Sequence, residues 1–309
     1  MSKKLLYLIG IGITILIGTY FYWLLCCKAC EEEATNNQVT KEIKELTTPK
    51  QKPATYNAFV VNDVDGKKII NTSDNFNFEA SGLQFIKPVT AVLDTEISNL
   101  KEYLSVNADK TIAIEGFYTS SETNVSAFPN LGLARANAVK NYFVSKGIPS
   151  AIMNTSGTLN DNLVADSLQV FHGPLAFTLL QKKDNSDAIN QLTQELKDNP
   201  LILNFKTGQA NINLTNEQRE YFAKVARYLD KVPEGKINVT GHTDSQGDAD
   251  LNLKLGLDRA NFAKNYLIKN ATIPADKIAV FSKGEAEPIA DNSTSEGQAK
   301  NRRTVISIK

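Results

Sequence analysis

Cysteine, histidine, methionine and tryptophan are all scarce in this chain. Its 309 residues include three cysteines, two histidines, two methionines and one tryptophan. His172 and His242 stand far apart, and the cysteines are confined to Cys26, Cys27 and Cys30. Neither a complete metal-ligand spacing nor a Ser/His/Asp or Cys/His frame can be drawn from them. We therefore expect no metal, no cofactor and no enzyme. Net charge is missing too: Lys plus Arg and Asp plus Glu number 34 each. Nothing global then points to nucleic acid or to anionic lipid. Cys27-x-x-Cys30 has redox or half-site spacing, but no second pair completes it. Acylation, a disulfide between protomers, or no role at all remain open for these thiols. The rest of the chain lacks cysteine, which suits an oxidising compartment.

Long apolar runs are absent but for one, which starts at Leu5 and ends at Cys26. About 20 such residues can span a bilayer core as a helix. Lys3 and Lys4 precede the run, Tyr20, Tyr22 and Trp23 crowd its far end, and Glu31, Glu32 and Glu33 follow. This pattern predicts a single retained anchor in the inner membrane, with the N-terminus cytoplasmic and everything after residue 30 periplasmic. A cleaved signal peptide would be shorter in its apolar core, and a lipoprotein signal would carry a small residue where Leu25 stands.

Residues 31–73 read as a linker. Pro49 and Pro53 discourage regular structure in its polar part. Its last stretch, YNAFVVNDVDGKKIINTS, predicts a short hairpin around Asp65 and Gly66. The remainder contains two similar segments sharing LGL-x-RAN-x-x-KNY, in which Arg135 matches Arg259, while NFEASG (77–82) resembles NFKTGQ (204–209). The expected boundaries are 1–30 for the anchor, 31–73 for the linker, and 74–185 and 186–309 for two related domains. In the second, Leu201 to Phe205 reads as a strand. Thr215 and Gln218 form a capping box for a helix with a stripe of Tyr221, Phe222, Val225, Tyr228, Leu229 and Val232. Ile237 and Val239 mark a strand ending at Gly241, and a helix from about Asp250 to Lys269 should turn Leu253, Leu257, Ala260, Ala263 and Leu267 to the core. Strands at Ile278 to Phe281 and Thr304 to Ile308 complete a β-α-β-α-β-β order, an α+β domain with helices packed on a mixed sheet.

The stretch GHTDSQGDADLNLKLGLDRANFAKNYL, with GEAEPIADNSTSEGQAKNRRTVISI after it, resembles the OmpA-like peptidoglycan-binding family. The matching positions include Thr243, Asp244, Gly247, Asn252, Leu255, Arg259, Pro288, Asn292, Gly297, Asn301, Arg302 and Arg303. The resemblance is strong over 186–309 and weak over 74–182. It implies peptidoglycan as partner, held through the diaminopimelate of its stem peptide, with no catalysis. Asp244 and Arg259 would grip that ligand's ammonium and carboxylate. The chemistry agrees, since a guanidinium can fork onto a carboxylate through two hydrogen bonds. Asn252 lies two helical turns before Arg259, on the same side of the helix. Thr243 joins them, with Gly208, Asn301, Arg302 and Arg303 as supporting positions.

Blander readings compete at each position. Arg259 could simply pair with Asp258 or Asp244. Asn301, Arg302 and Arg303 read first as capping the fold and bonding loop carbonyls. His242 reads as solvated or loop-bonded. Gly256 sits inside a helix at a cost near 1 kcal/mol, implying close approach of a ligand or of another element. Lys206 stands where the family commonly has an acid. Aligning Gly116 with Gly241 places Thr119 where Asp244 stands, and an insertion lies around Phe128 and Pro129. The first domain is thus expected to be degenerate, with no diaminopimelate binding, and changes at Thr119 or Arg135 should matter little to wall attachment.

The leading expectation is a structural tether between membrane and wall. The main alternative is a stator subunit like MotB or another transport-complex subunit, disfavoured because the apolar run carries no Asp or Glu for proton transfer. A cell-wall enzyme ranks third. A homodimer and an envelope protein complex both stay open.

Overall fold

The computed structural model describes residues 15–22, 52–204 and 213–309. It divides into two units, Met1–Gln51 and Lys52–Lys309. In the first unit, residues 15–22 are helix. Among the described residues no helix is long and apolar enough to cross a membrane. This overturns the expected single-pass placement in the inner membrane, with its cytoplasmic N-terminus and periplasmic domains. The rest of the apolar run, the three cysteines and residues 31–51 lie outside the described residues.

The second unit opens with a hairpin of β1 (Phe59–Asn62) and β2 (Lys68–Thr72), turned at Gly66 with φ of 83°. Glycine adopts that left-handed conformation without the clash a Cβ would bring. The hairpin is not free-standing. After β3 (Asn77–Glu79), α1 (Ala91–Val106), β4 (Lys110–Tyr118), α2 (Leu131–Ser145), β5 (Met153–Leu159), β6 (Val170–His172) and β7 (Leu175–Gln181), the sheet order is β2-β1-β7-β4-β5. β1 runs parallel to β7, β7 antiparallel to β4, and β4 parallel to β5. β3 pairs with β6 in a separate two-stranded sheet. Phe59, Phe76, Phe78, Phe143 and Phe177 fill this core, with the rings of Phe59 and Phe177 edge to face at 4.6 Å.

The second half begins with a helix that the sequence reading lacked, α3 (Ser186–Asp198), and continues β8 (Leu201–Asn204), α4 (Asn216–Lys231), β9 (Ile237–His242), α5 (Ala249–Asn270), β10 (Ile278–Gly284), α6 (Ser295–Asn301) and β11 (Arg303–Ile308). Its sheet order is β10-β9-β11-β8, with β9 parallel to β10 and antiparallel to β11. The chain is thus α+β, with helices packed on mixed sheets. The capping box at Thr215 and Gln218 forms, and Phe222, Val225, Tyr228 and Leu229 are buried as the stripe predicts.

On α5 the expected core stripe fails at two of its five positions. Ala260, Ala263 and Leu267 are buried, but Leu253 and Leu257 are 45% and 40% exposed. The reason is a backbone contact. A Cβ on Gly241 would lie 1.8 Å from the Gly256 carbonyl oxygen. The helix therefore meets β9 through Gly256, and its Asn252 backbone lies against Gly284 at the end of β10, which leaves no room for leucine on that face. The close approach read from Gly256 is that of another element of the fold.

The two halves are joined by more than chain connectivity. The insertion around Phe128 supplies part of the joint: Ala127 N donates to Asn270 O at 2.8 Å, Arg219 Nη1 donates to Ser126 O, and Phe128 is fully buried in a cluster with Leu131 and Ala226. Lys140 lies 2.7 Å from Asp230 across the same joint.

Candidate functional site

β9 delivers Thr243 and Asp244 to one end of the second sheet. Ile237 and Val239 turn inward along the strand, and its exit is held by Thr243 N donating to Gly284 O at 2.8 Å. Gly247, with φ of 99°, turns the loop back, and Asp248 caps α5 by accepting from Asp250 N and Leu251 N. α5 then carries Asn252 and Arg259 beneath the loop.

Three charges converge here. Arg302 Nη1 donates to Asp244 Oδ2 at 2.7 Å, and both side chains are largely covered. Asp244 Oδ1 accepts from Gln246 N at 3.3 Å, which fixes the carboxylate from its other side. Arg259 Nη1 donates to the His242 carbonyl at 3.1 Å, its only hydrogen-bond partner among the described residues. Burial lowers the Arg259 pKa, the Asp244 charge opposes that shift, and the Arg302 charge adds to it. Of the two pairings weighed for Arg259, neither is present as a contact: Asp244 is taken by Arg302, 58 residues further along the chain.

The remaining candidates divide. Asn252 is buried and donates to Gln246 O at 3.2 Å and Glu285 Oε2 at 2.5 Å, tying α5 to two loops. Thr243 is buried, and its Oγ1 has no hydrogen-bond partner among the described residues. Asn301 is fully buried. Its Oδ1 accepts from Ile289 N and Ala290 N, and its Nδ2 donates to Ala290 O and Asn292 Oδ1. Arg303 donates to Glu287 O at 3.0 Å. Asn301 and Arg303 therefore organise the loop before α6, as the capping reading expects, whereas Arg302 turns to Asp244. Gly208 and Lys206 lie outside the described residues. Glu285, the partner of Asn252, escaped the sequence reading, since only the fold brings a residue 33 positions away to that side chain.

His242 is not solvated. It is 3% exposed and its Nδ1 has no partner among the described residues. Burial, with the Arg303 charge adding, lowers its pKa to about 4, so it is neutral at physiological pH. Among the described residues no group of His, Cys, Asp and Glu could hold a metal ion.

The corresponding end of the first sheet differs. Arg135 is fully buried and paired with Glu122, and Thr119 is buried with its N–H donating to the same carboxylate at 2.9 Å.

Comparison with known proteins places these residues in context. A family model described as the OmpA family matches residues 78–169 and 204–302. The chain is 43% identical over 84 residues to the probable lipoprotein YiaD of Escherichia coli, covering 27% of this chain and 38% of that protein. It is 34% identical over 101 residues to the peptidoglycan-binding protein ArfA of Mycobacterium bovis, covering 33% of this chain and 31% of that one. The match thus spans about a third of these relatives' lengths. Among solved structures, the peptidoglycan-associated lipoprotein from Burkholderia pseudomallei shows 22% identity, covers 35% of this chain and 89% of its own, and gives a TM-score of 0.30, a likeness too slight to build on.

Proposed function

The chain belongs to the OmpA family, and we propose that its last domain binds peptidoglycan through the diaminopimelate of the stem peptide, holding the protein to the cell wall without catalysing a reaction. We read the chain as two OmpA-like units, 74–185 and 186–309, of which the first is degenerate. Arg259 carries the proposal. Its guanidinium spends one hydrogen bond on a backbone carbonyl beside the Asp244–Arg302 pair, and its other donors have no partner among the described residues. A ligand carboxylate would take those donors, and Asp244 would accept from the ligand ammonium. Thr243 packs beneath the loop as a buried residue, and Asn252 holds the loop that carries Asp244.

Each charged contact contributes about 1.5–3 kcal/mol, so a single site gives modest affinity. A continuous polymer raises the effective concentration of ligand, which offsets this. Co-sedimentation of the full-length protein, in mild detergent, with isolated sacculi tests the reading. Retention is expected on diaminopimelate-type wall, and Asp244→Ala or Arg259→Ala should weaken it about tenfold to a hundredfold. Wild-type protein that stays in the supernatant rejects it.

A further inference from the structure

Glu122 sits in a pocket built for a carboxylate. Oε1 accepts from Ser81 N at 2.9 Å and from Arg135 Nη2 at 2.5 Å. Oε2 accepts from Thr119 N at 2.9 Å, from Arg135 Nη1 at 3.2 Å and from the Thr119 hydroxyl at 3.4 Å. The guanidinium therefore forks onto both oxygens, and two backbone N–H groups close the ring of donors. Ser81 holds φ of 60°, an unusual conformation for a residue with a Cβ, and its N–H points at the carboxylate.

Arg135 is fully committed. Beyond Glu122 it donates to Gly82 O at 3.1 Å, Phe117 O at 2.9 Å and Glu79 O at 3.4 Å, and it lies 5.3 and 5.4 Å from the rings of Phe78 and Phe171. The pair is 0% and 3% exposed. Counting from Thr119 and Asp244, the second-half position matching Glu122 is Gly247, where an added Cβ would meet nothing within 4 Å. One arginine thus has its carboxylate supplied by the chain, and the other has none bonded to it among the described residues.

We propose that the Arg135 pocket is a carboxylate receptor whose resident ligand is the chain's own Glu122, so that it takes small monocarboxylates only when that side chain is removed. An attached carboxylate competes at a very high effective concentration, so free acids in solution do not displace it. The receptor is held shut in cis, and the inference stands independently of wall binding by the second half.

Glu122→Ala removes one methylene and the carboxylate, which is the shape of acetate. Thermal melts of the full-length Glu122→Ala protein in sodium acetate, against equal sodium chloride, test the proposal. Acetate at ten times its dissociation constant should raise the Tm of Glu122→Ala by about 2–4 °C. Wild type and the isosteric Glu122→Gln, which leave no void, should not respond. Should Glu122→Ala not fold in chloride, its refolding yield in acetate reads the same property. Recovery in acetate alone supports the proposal. No selective response of Glu122→Ala, an equal response in Glu122→Gln, or no recovery in either salt overturns it.

Discussion

Arg302 and Asp244 form a partly buried ion pair at 2.7 Å that joins the start of β11 to the loop after β9. The contact sets the direction of the Asp244 carboxylate before any ligand arrives, and among the described residues it leaves Arg259 without a carboxylate partner. Arg302→Ala removes the clamp and should lower folding stability by about 1 kcal/mol, as expected for a charge-assisted bond near the surface. In a double-mutant cycle with Asp244→Ala, urea denaturation should give a coupling of about 1 kcal/mol. Coupling indistinguishable from zero would show that the pair does not order the loop.

The contact between Gly241 and Gly256 leaves no space for a side chain on Gly241. A Cβ on Gly241 meets backbone at 1.8 Å, whereas one on Gly256 meets first the Ser282 hydroxyl at 2.3 Å and then Gly241 O at 3.0 Å. Gly241→Ala should therefore lower stability by about 3 kcal/mol or more. Gly256→Ala should cost less, because a serine side chain can move and alanine favours helix by about 1 kcal/mol over glycine. Guanidinium denaturation of the two variants orders them, and an equal or reversed order contradicts the backbone-contact account.

Those glycines also show how far the sequence was legible. The helix expected from about Asp250 to Lys269 runs Ala249–Asn270, and the capping box places the start of α4, because caps and periodicity are local signals. The inward face of α5 departs from the leucine pattern because a helix pressed onto a strand by two glycines turns polar and small residues inward. α3 does carry a local signal, with Ile189, Leu192 and Leu196 at helical spacing on its covered face, so its absence from the sequence-based expectation has no physical cause. α6 buries only Gly297 and Asn301 and gives no apolar signal at all. At the candidate site, Asp244 and Arg259 are expectations from motif positions, and the fold brings Asp244 close enough for its charge to act on the Arg259 guanidinium. The Arg302 and Glu285 contacts arise from loop closure over long separations and had no local trace.

His242 predicts the pH dependence. Its folded pKa is about 4 against an ordinary 6.5. Between those values the unfolded chain binds a proton that the folded one refuses, so stability falls as pH drops from about 6.5 to about 4, and no such effect operates above that window. The loss is at most about 3 kcal/mol. His242→Gln keeps the backbone carbonyl that Arg259 uses and should show a shallower decline across this window in urea titrations at several pH values. Parallel pH profiles for the two proteins would show that the imidazole is not buried neutral.

Lys140 and Asp230 form a buried ion pair within the joint between the halves, with side chains 4% and 13% exposed. Lys140 also donates to Asn137 Oδ1 at 2.8 Å, and Ser150 Oγ donates to the Asp230 carbonyl at 3.0 Å. Burial lowers the Lys140 pKa and raises that of Asp230, and each is opposed by its partner's charge. Removing one member strands the other. Lys140→Ala should lower stability by about 3–5 kcal/mol, while Lys140→Met with Asp230→Leu should come close to wild type because a well-packed apolar pair avoids the desolvation cost. The joint couples the two halves, so denaturation followed by far-ultraviolet circular dichroism should show Lys140→Ala shifting one cooperative transition as a whole. A transition that splits, with one half unmoved, would mean that this ion pair does not bind the halves into a single folding unit.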